Sequence, residues 1–395
     1  MNASHRTRSH RGPGLGRRLH AAGFTLVELL VAVTIGMALV LAITLMLTRY
    51  ESGRRSLTGL NAASMGGAYV SYTLDRLVRS AGSGYSQSWR DAYGCRLLAA
   101  RGGATVLPRP AAFPPPFAAV PQAVRLAPVV VHAGIGTDGS DVIAFATGSS
   151  GLGESSLPMQ TASATAVGLR VPATIGLRAS DLVLVFENRA TDCMFQQVAA
   201  GFTGGADQQL IFGGTYANAT VGGVSLDSIG AVNRGWVTPL GNITASRPQI
   251  QLVGVGANAT LVVHDMLQLD GSDAVQAIAD GVADLRARYG VDTNNDNVVD
   301  AWQDPAVGDW RASQLLDGTE PARTRLSQIV ALRVGVIVRT SSPERDTVAP
   351  ATLTLFSDLA TALQATRTLT TAERQLRWRS LEFTVPLRNA LLAPP

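Results

Sequence analysis

Chemistry first suggests itself in DTNNDNVVD at 292–300. Asp292, Asn294, Asp296 and Asp300 supply side-chain oxygens at positions 1, 3, 5 and 9, and Val298 a carbonyl at position 7, the ligand spacing of an EF-hand-like calcium loop. Two positions depart from that pattern. Asn297 stands where the turn glycine belongs and Gln303 where the bidentate acid belongs, with Asp304 next to it. An Asn- and Asp-rich solvated hairpin has the same composition, so a calcium loop and a plain turn are both readings of this segment. A second candidate is the pair Cys95 and Cys193. In an oxidising compartment they form a bridge closing a long loop, and elsewhere they stay two thiols.

Enzymatic readings have little to work with. Of five histidines, His5, His10 and His20 precede residue 24, and His132 and His264 fall inside strand-like runs, where a structural role is the default. No GxSxG elbow, HExxH pair or Walker loop accompanies them. The chain is not read as an enzyme.

Net charge is equally local. The 395 residues carry 33 basic groups against 29 acidic ones, a formal +4. Arg6, Arg8, Arg11, Arg17 and Arg18 stand in the first 23 residues without any acid, so the chain from residue 24 onward has a formal charge of −1. Arg377, Arg379 and Arg388 form the other basic grouping, and alternation in a strand places such side chains on a solvated face. A general nucleic-acid surface does not follow from a near-neutral chain.

The elements that position these residues begin with 24–47, FTLVELLVAVTIGMALVLAITLML, which holds one ionisable side chain, Glu28, and no proline. As a helix of ~1.5 Å per residue it spans a bilayer. The preceding arginines keep their side cytoplasmic, so the rest of the chain is exported. Helical spacing of Leu57, Leu60, Met65, Tyr69, Tyr72, Leu77 and Val78 extends this helix to residue 79. Gly53, Gly59, Gly66 and Gly67 lower helix propensity by up to ~1 kcal/mol each and predict a bend or local melting.

Residues 80–126, rich in Gly, Pro and Ala, read as a long surface connection. From 127 to 395 follow strand-like runs including VVVH at 129–132, DLVLVFE at 181–187, MFQQVA at 194–199 and IVALRVGVIVR at 329–339. Between 273 and 291, Val275, Ile278 and Val282 fit a helix face, and Leu285, Ala287, Tyr289 and Val291 alternate, so a short helix running into a strand is expected.

HAAGFTLVELLVA resembles the processing site of type IV prepilins. The resemblance implies that a prepilin peptidase/methyltransferase cuts between Gly23 and Phe24 and methylates the new N-terminus. It also implies that Glu28 registers the subunit in a filament by pairing with a neighbour's α-amine. The run from GVADLRARYGVD through VALRV to EFTVPLRN, with DCMFQQV at 192–198, is similar to the minor pilin PilW group. The expected fold is α+β, with a long N-terminal helix packed on an antiparallel β-sheet domain. Its expected parts are a leader (1–23), the helix (24–79), the connection (80–126) and the globular domain (127–395).

The family implies a minor pilin that primes a type IV pilus or caps its tip. It would lie in the inner membrane as a single span and then on the pilus. Its implied partners are other minor pilins, the major pilin, the peptidase and the inner-membrane assembly platform. A type II secretion minor pseudopilin is the alternative within the class, and a membrane-tethered DNA- or ligand-binding module the alternative outside it.

Overall fold

The computed structural model describes residues 25–149, 156–189, 191–205 and 208–391. The chain divides into two compact units between Leu57 and Thr58. A single helix, Leu26–Ser80, contributes to both.

In the first unit the helix is apolar on every side over Leu26–Leu47. Leu26, Leu30, Met37, Leu41 and Leu47 are all more than half exposed, and the stretch Leu26–Leu47 is long and apolar enough to cross a membrane. A helix that is hydrophobic all round needs lipid or other helices about it. Its two hydroxyls are satisfied internally, Thr34 Oγ1 donating to the Val31 carbonyl (2.9 Å) and Thr44 Oγ1 to the Val40 carbonyl (2.7 Å), as a low-dielectric surrounding demands.

From Thr58 the same helix is one-sided. Val70, Leu74, Leu77 and Val78, spaced by three and four residues, are buried, and Met65, Tyr69 and Tyr72 are more than half exposed. The local melting expected at the glycines does not occur, since the helix runs unbroken to Ser80. Within the second unit Gly67 explains why: a Cβ there would strike the Leu381 side chain and press toward Val338. The lost propensity is offset by close approach of the helix to the sheet.

Three main sheets follow, with three two-stranded ones beside them among the described residues. The six-stranded sheet has the order Ala104–Leu107, Arg96–Arg101, Asp192–Gln197, Asp181–Glu187, Gly235–Asn242, Leu157–Pro158. It is antiparallel except where Arg96–Arg101 runs parallel to Asp192–Gln197. The five-stranded sheet, ordered Gln276–Asp280, Thr260–Asp265, Gln249–Val255, Val142–Thr147, Val129–His132, is antiparallel throughout. So is the four-stranded sheet, Ala301–Gln303, Val282–Val291, Ile329–Arg339, Trp378–Pro386. The fold is α+β with a mostly β globular region.

Alternation along the strands sorts side chains between two cores. Leu182, Leu184 and Phe186 point into the large core shared with the helix residues Val70, Leu74 and Leu77, and Val183 and Val185 point into a second core with Leu98, Met194 and Leu210. DLVLVFE is continuously apolar because both faces of its strand are covered.

Two expectations are corrected. The segment 80–126 is no surface connection, since it supplies two strands of the six-stranded sheet and buries Phe113 and Phe117 completely or nearly so. Its apolar run RLLAAR takes an inner place in that sheet, which its Gly- and Pro-rich surroundings disguise. Nor is there a helix after Asp273. Gln276–Asp280 is a strand on Thr260–Asp265, and Gly281 (φ +81°) turns the chain into Val282–Val291. A Cβ at Gly281 would lie 2.8 Å from the Arg339 carbonyl, so the turn requires glycine.

Candidate functional site

The start of the stem is built as a reciprocal cap. The Glu28 backbone N–H donates to Thr25 Oγ1 (3.2 Å), and Glu28 Oε2 accepts from the Thr25 backbone N–H and hydroxyl (both 3.1 Å). This is the capping box of the T-x-x-E spacing at 25–28, which satisfies donors that a helix start leaves open. Glu28 thus enters an apolar helix with its carboxylate held by its own chain. The T-x-x-E spacing is the signal in the sequence that identifies Thr25 as the cap. Gly23 and Phe24 lie outside the described residues.

Cys95 and Cys193 form a disulfide with Cα atoms 5.7 Å apart, and both are fully buried. It sits where Arg96–Arg101 meets Asp192–Gln197, in register Leu97↔Cys193, next to an Arg96–Asp192 ion pair of 2.7 Å.

The turn at 292–300 spends its oxygens on its own backbone. Asp292, itself buried, accepts from the N–H groups of Asn294 (3.1 Å), Asn295 (2.7 Å) and Asn297 (2.7 Å). Asn294 Oδ1 accepts from Asp296 N–H, Asp296 Oδ1 from Val298 N–H, and Asp300 Oδ2 from Thr293 N–H and Oγ1. Asn295 and Asn297 take left-handed φ of +62° and +66°, a conformation Asn tolerates well. Among the described residues no three His, Cys, Asp or Glu are placed together to hold a metal ion. Asp292, Asn294, Asp296 and Asp300 thus close the turn with their side-chain oxygens.

Beside this turn, and not legible in the sequence, is a polar cavity of about 670 Å³, lined among others by Arg90, Asp91, Arg189, Asp292, Glu320 and Arg323. Its charges balance, and Arg323 already donates to the Tyr93 carbonyl at 2.9 Å.

Of the three C-terminal arginines, one is paired with an acid, and Arg379 and Arg388 are exposed. Arg377 pairs with Glu344 (2.9 Å), and Arg379 donates to Ser64 Oγ on the helix (2.9 Å).

Both non-leader histidines are buried. His264 lies edge-on to Phe113 with its Nε2 3.7 Å from Asp273 Oδ1, and burial lowers its pKa against the pull of that carboxylate. Burial lowers His132 to about 4, and raises Asp141, which accepts from the Gly134 and Ala287 N–H groups, to about 6. The two act in opposite senses. A neutral buried His132 contributes stability that is full above its ordinary 6.5 and lost as pH falls toward about 4. Asp141 costs stability above about 6, and that cost is relieved as pH falls through about 6 toward its ordinary 3.8. His132→Leu isolates the first effect. Between pH 7 and pH 4 the variant should gain about 3 kcal/mol relative to the parent chain. Melting temperatures of both chains across that range check it, and a pH-independent difference would refute the assignment.

Residues 250–389 match the family of type IV pilus-assembly protein W, and residues 18–44 match the prokaryotic N-terminal methylation motif. No curated protein and no solved structure matches the chain.

Proposed function

Because the chain matches a PilW-family pilin in its C-terminal region and at its N-terminus, we propose that it is a minor pilin that primes the type IV pilus or caps its tip. The observation that carries this reading is the stem. A prepilin-type motif runs directly into a helix that is apolar on all sides, begun by a carboxylate held in a reciprocal cap. Pilin-type families are structural rather than enzymatic, and the work such a subunit does is packing and mass action.

In this reading the peptidase removes residues 1–23 and methylates Phe24, and the subunit waits in the membrane as a single span. Glu28 then exchanges the Thr25 hydroxyl for the α-amine of a neighbour. That exchange replaces a neutral donor on the carboxylate by a cationic one in a low-dielectric setting, which favours the assembled state. Other minor pilins and the major pilin are the neighbours, and the inner-membrane platform extracts the group. The exposed face with Met65, Tyr69 and Tyr72 continues the packing surface beyond the apolar span.

Deleting the gene tests the reading. Surface pili and twitching should fall sharply while exoprotein secretion is unchanged. Normal piliation with lost secretion would reassign the chain to a type II secretion pseudopilin, and no change in either would leave the membrane-tethered binding module.

A further inference from the structure

The last strand of the four-stranded sheet, Trp378–Pro386, is an edge nine residues long. The other edges of the three main sheets are short, from two residues at Leu157–Pro158 to five at Gln276–Asp280. Open edges are templates for pairing with another chain, which proteins usually avoid by keeping them short.

Its hydrogen-bonding parity follows from the two ends of the ladder. Leu387 N–H donates to the Val330 carbonyl and Thr340 N–H to the Arg377 carbonyl, in a register that does not shift between them. Odd-numbered residues from 377 to 387 therefore bond inward to Ile329–Arg339. Trp378, Ser380, Glu382 and Thr384 turn their N–H and C=O groups outward, and among the described residues none of these groups has a hydrogen-bond partner. Ser380, Glu382 and Thr384 are also exposed.

We propose that this edge receives a β-strand from a different pilin-type subunit, which extends the four-stranded sheet. The inference rests on the filament reading above. Continuity selects the occupant. Leu381 packs beneath Gly67 and Arg379 binds Ser64, so the edge strand lies directly on the helix whose opposite face is the packing surface. A neighbour seated on that helix lies beside the edge. The incoming strand would carry apolar residues on the side of Leu381 and Phe383, which belong to the margin of the large core. On the other side it would carry polar residues facing Ser380, Glu382 and Thr384. Two copies of this chain do not suit the site: pairing like edges about a twofold axis turns their 58–80 helices end for end, whereas the globular units of one filament repeat in the same sense.

The full chain in its own cells tests this. A photo-crosslinking residue at Thr384 should give an adduct with another pilin-type subunit, both in membranes and in sheared filaments. Ser380→Pro with Thr384→Pro removes two outward donors and leaves the inward ladder intact. That variant should reach wild-type levels in the membrane but fall about ten-fold or more in filaments, the factor expected for two lost backbone hydrogen bonds. Wild-type incorporation of the variant, an adduct only with a second copy, or no adduct would overturn the proposal. If the variant fails to accumulate, the adduct alone decides. Absence of the unmodified chain from filaments would instead count against the filament reading, and the adduct in membranes would still report on the edge.

Discussion

Replacing Cys95 and Cys193 together by alanine should lower the stability of the globular unit by about 4 to 5 kcal/mol. The bridge closes a loop of 98 residues, and the entropy removed from the unfolded chain grows with the logarithm of that length. Against a typical total of about 5 to 15 kcal/mol the loss is large. The structure adds a local reason. Arg96–Arg101 joins its sheet through a short parallel pairing of Arg96, Leu97 and Leu98 with Asp192, Cys193 and Met194, and parallel pairing needs a long crossover that tightens nothing by itself. The disulfide lies at that seam. Denaturant unfolding should show a lower midpoint for the double variant, reductant should reproduce the shift in the parent chain, and the variant should be insensitive to reductant. A shift below about 1 kcal/mol would mean that strain in the folded state cancels the entropy term.

The second large effect concerns Gly23→Ala. Cleavage at this position requires a residue without a side chain in the peptidase, by resemblance to prepilins. The variant should remain a slower-migrating precursor in the membrane and vanish from filaments. Two physical consequences of an intact leader reinforce this. Phe24 then offers an amide and not a charged α-amine, so a neighbour's Glu28 has no ion partner. Arg6, Arg8, Arg11, Arg17 and Arg18 also remain on the chain, and extracting them through the bilayer costs about 2.5 to 3.5 kcal/mol for each charge at the centre. Immunoblots of membranes and sheared filaments read both outcomes, and normal migration and incorporation of the variant would contradict the prepilin assignment.

How much of this was legible depends on whether a pattern was local. The stem was: an unbroken apolar run needs no tertiary context to declare itself, and residues 18–44 match the N-terminal methylation motif. The strand Ile329–Arg339 was legible for the same reason, since it is long, β-branched and nearly all buried. RLLAAR at 96–101 was not, because its place is fixed by a partner almost a hundred residues away. Gln276–Asp280 misled through Val275, Ile278 and Val282, whose spacing matches a helix turn. Pairing with Thr260–Asp265 overrode it. The helix Glu320–Gln328 did leave a signal in Thr319, whose hydroxyl caps it, and in the proline that follows.

At the site, a solvated Asn- and Asp-rich turn was legible at 292–300, and Asp292 holds it with three backbone N–H groups on its carboxylate. The open edge at 378–386 was visible only once strand order was known, because alternation is the same in edge and inner strands.

The most direct measurement is the mass of the N-terminal peptide of this chain in sheared filaments. The account predicts a peptide beginning at Phe24 with a methylated α-amine. Recovery of a peptide that begins at Met1, or an unmodified N-terminus at another residue, would contradict it.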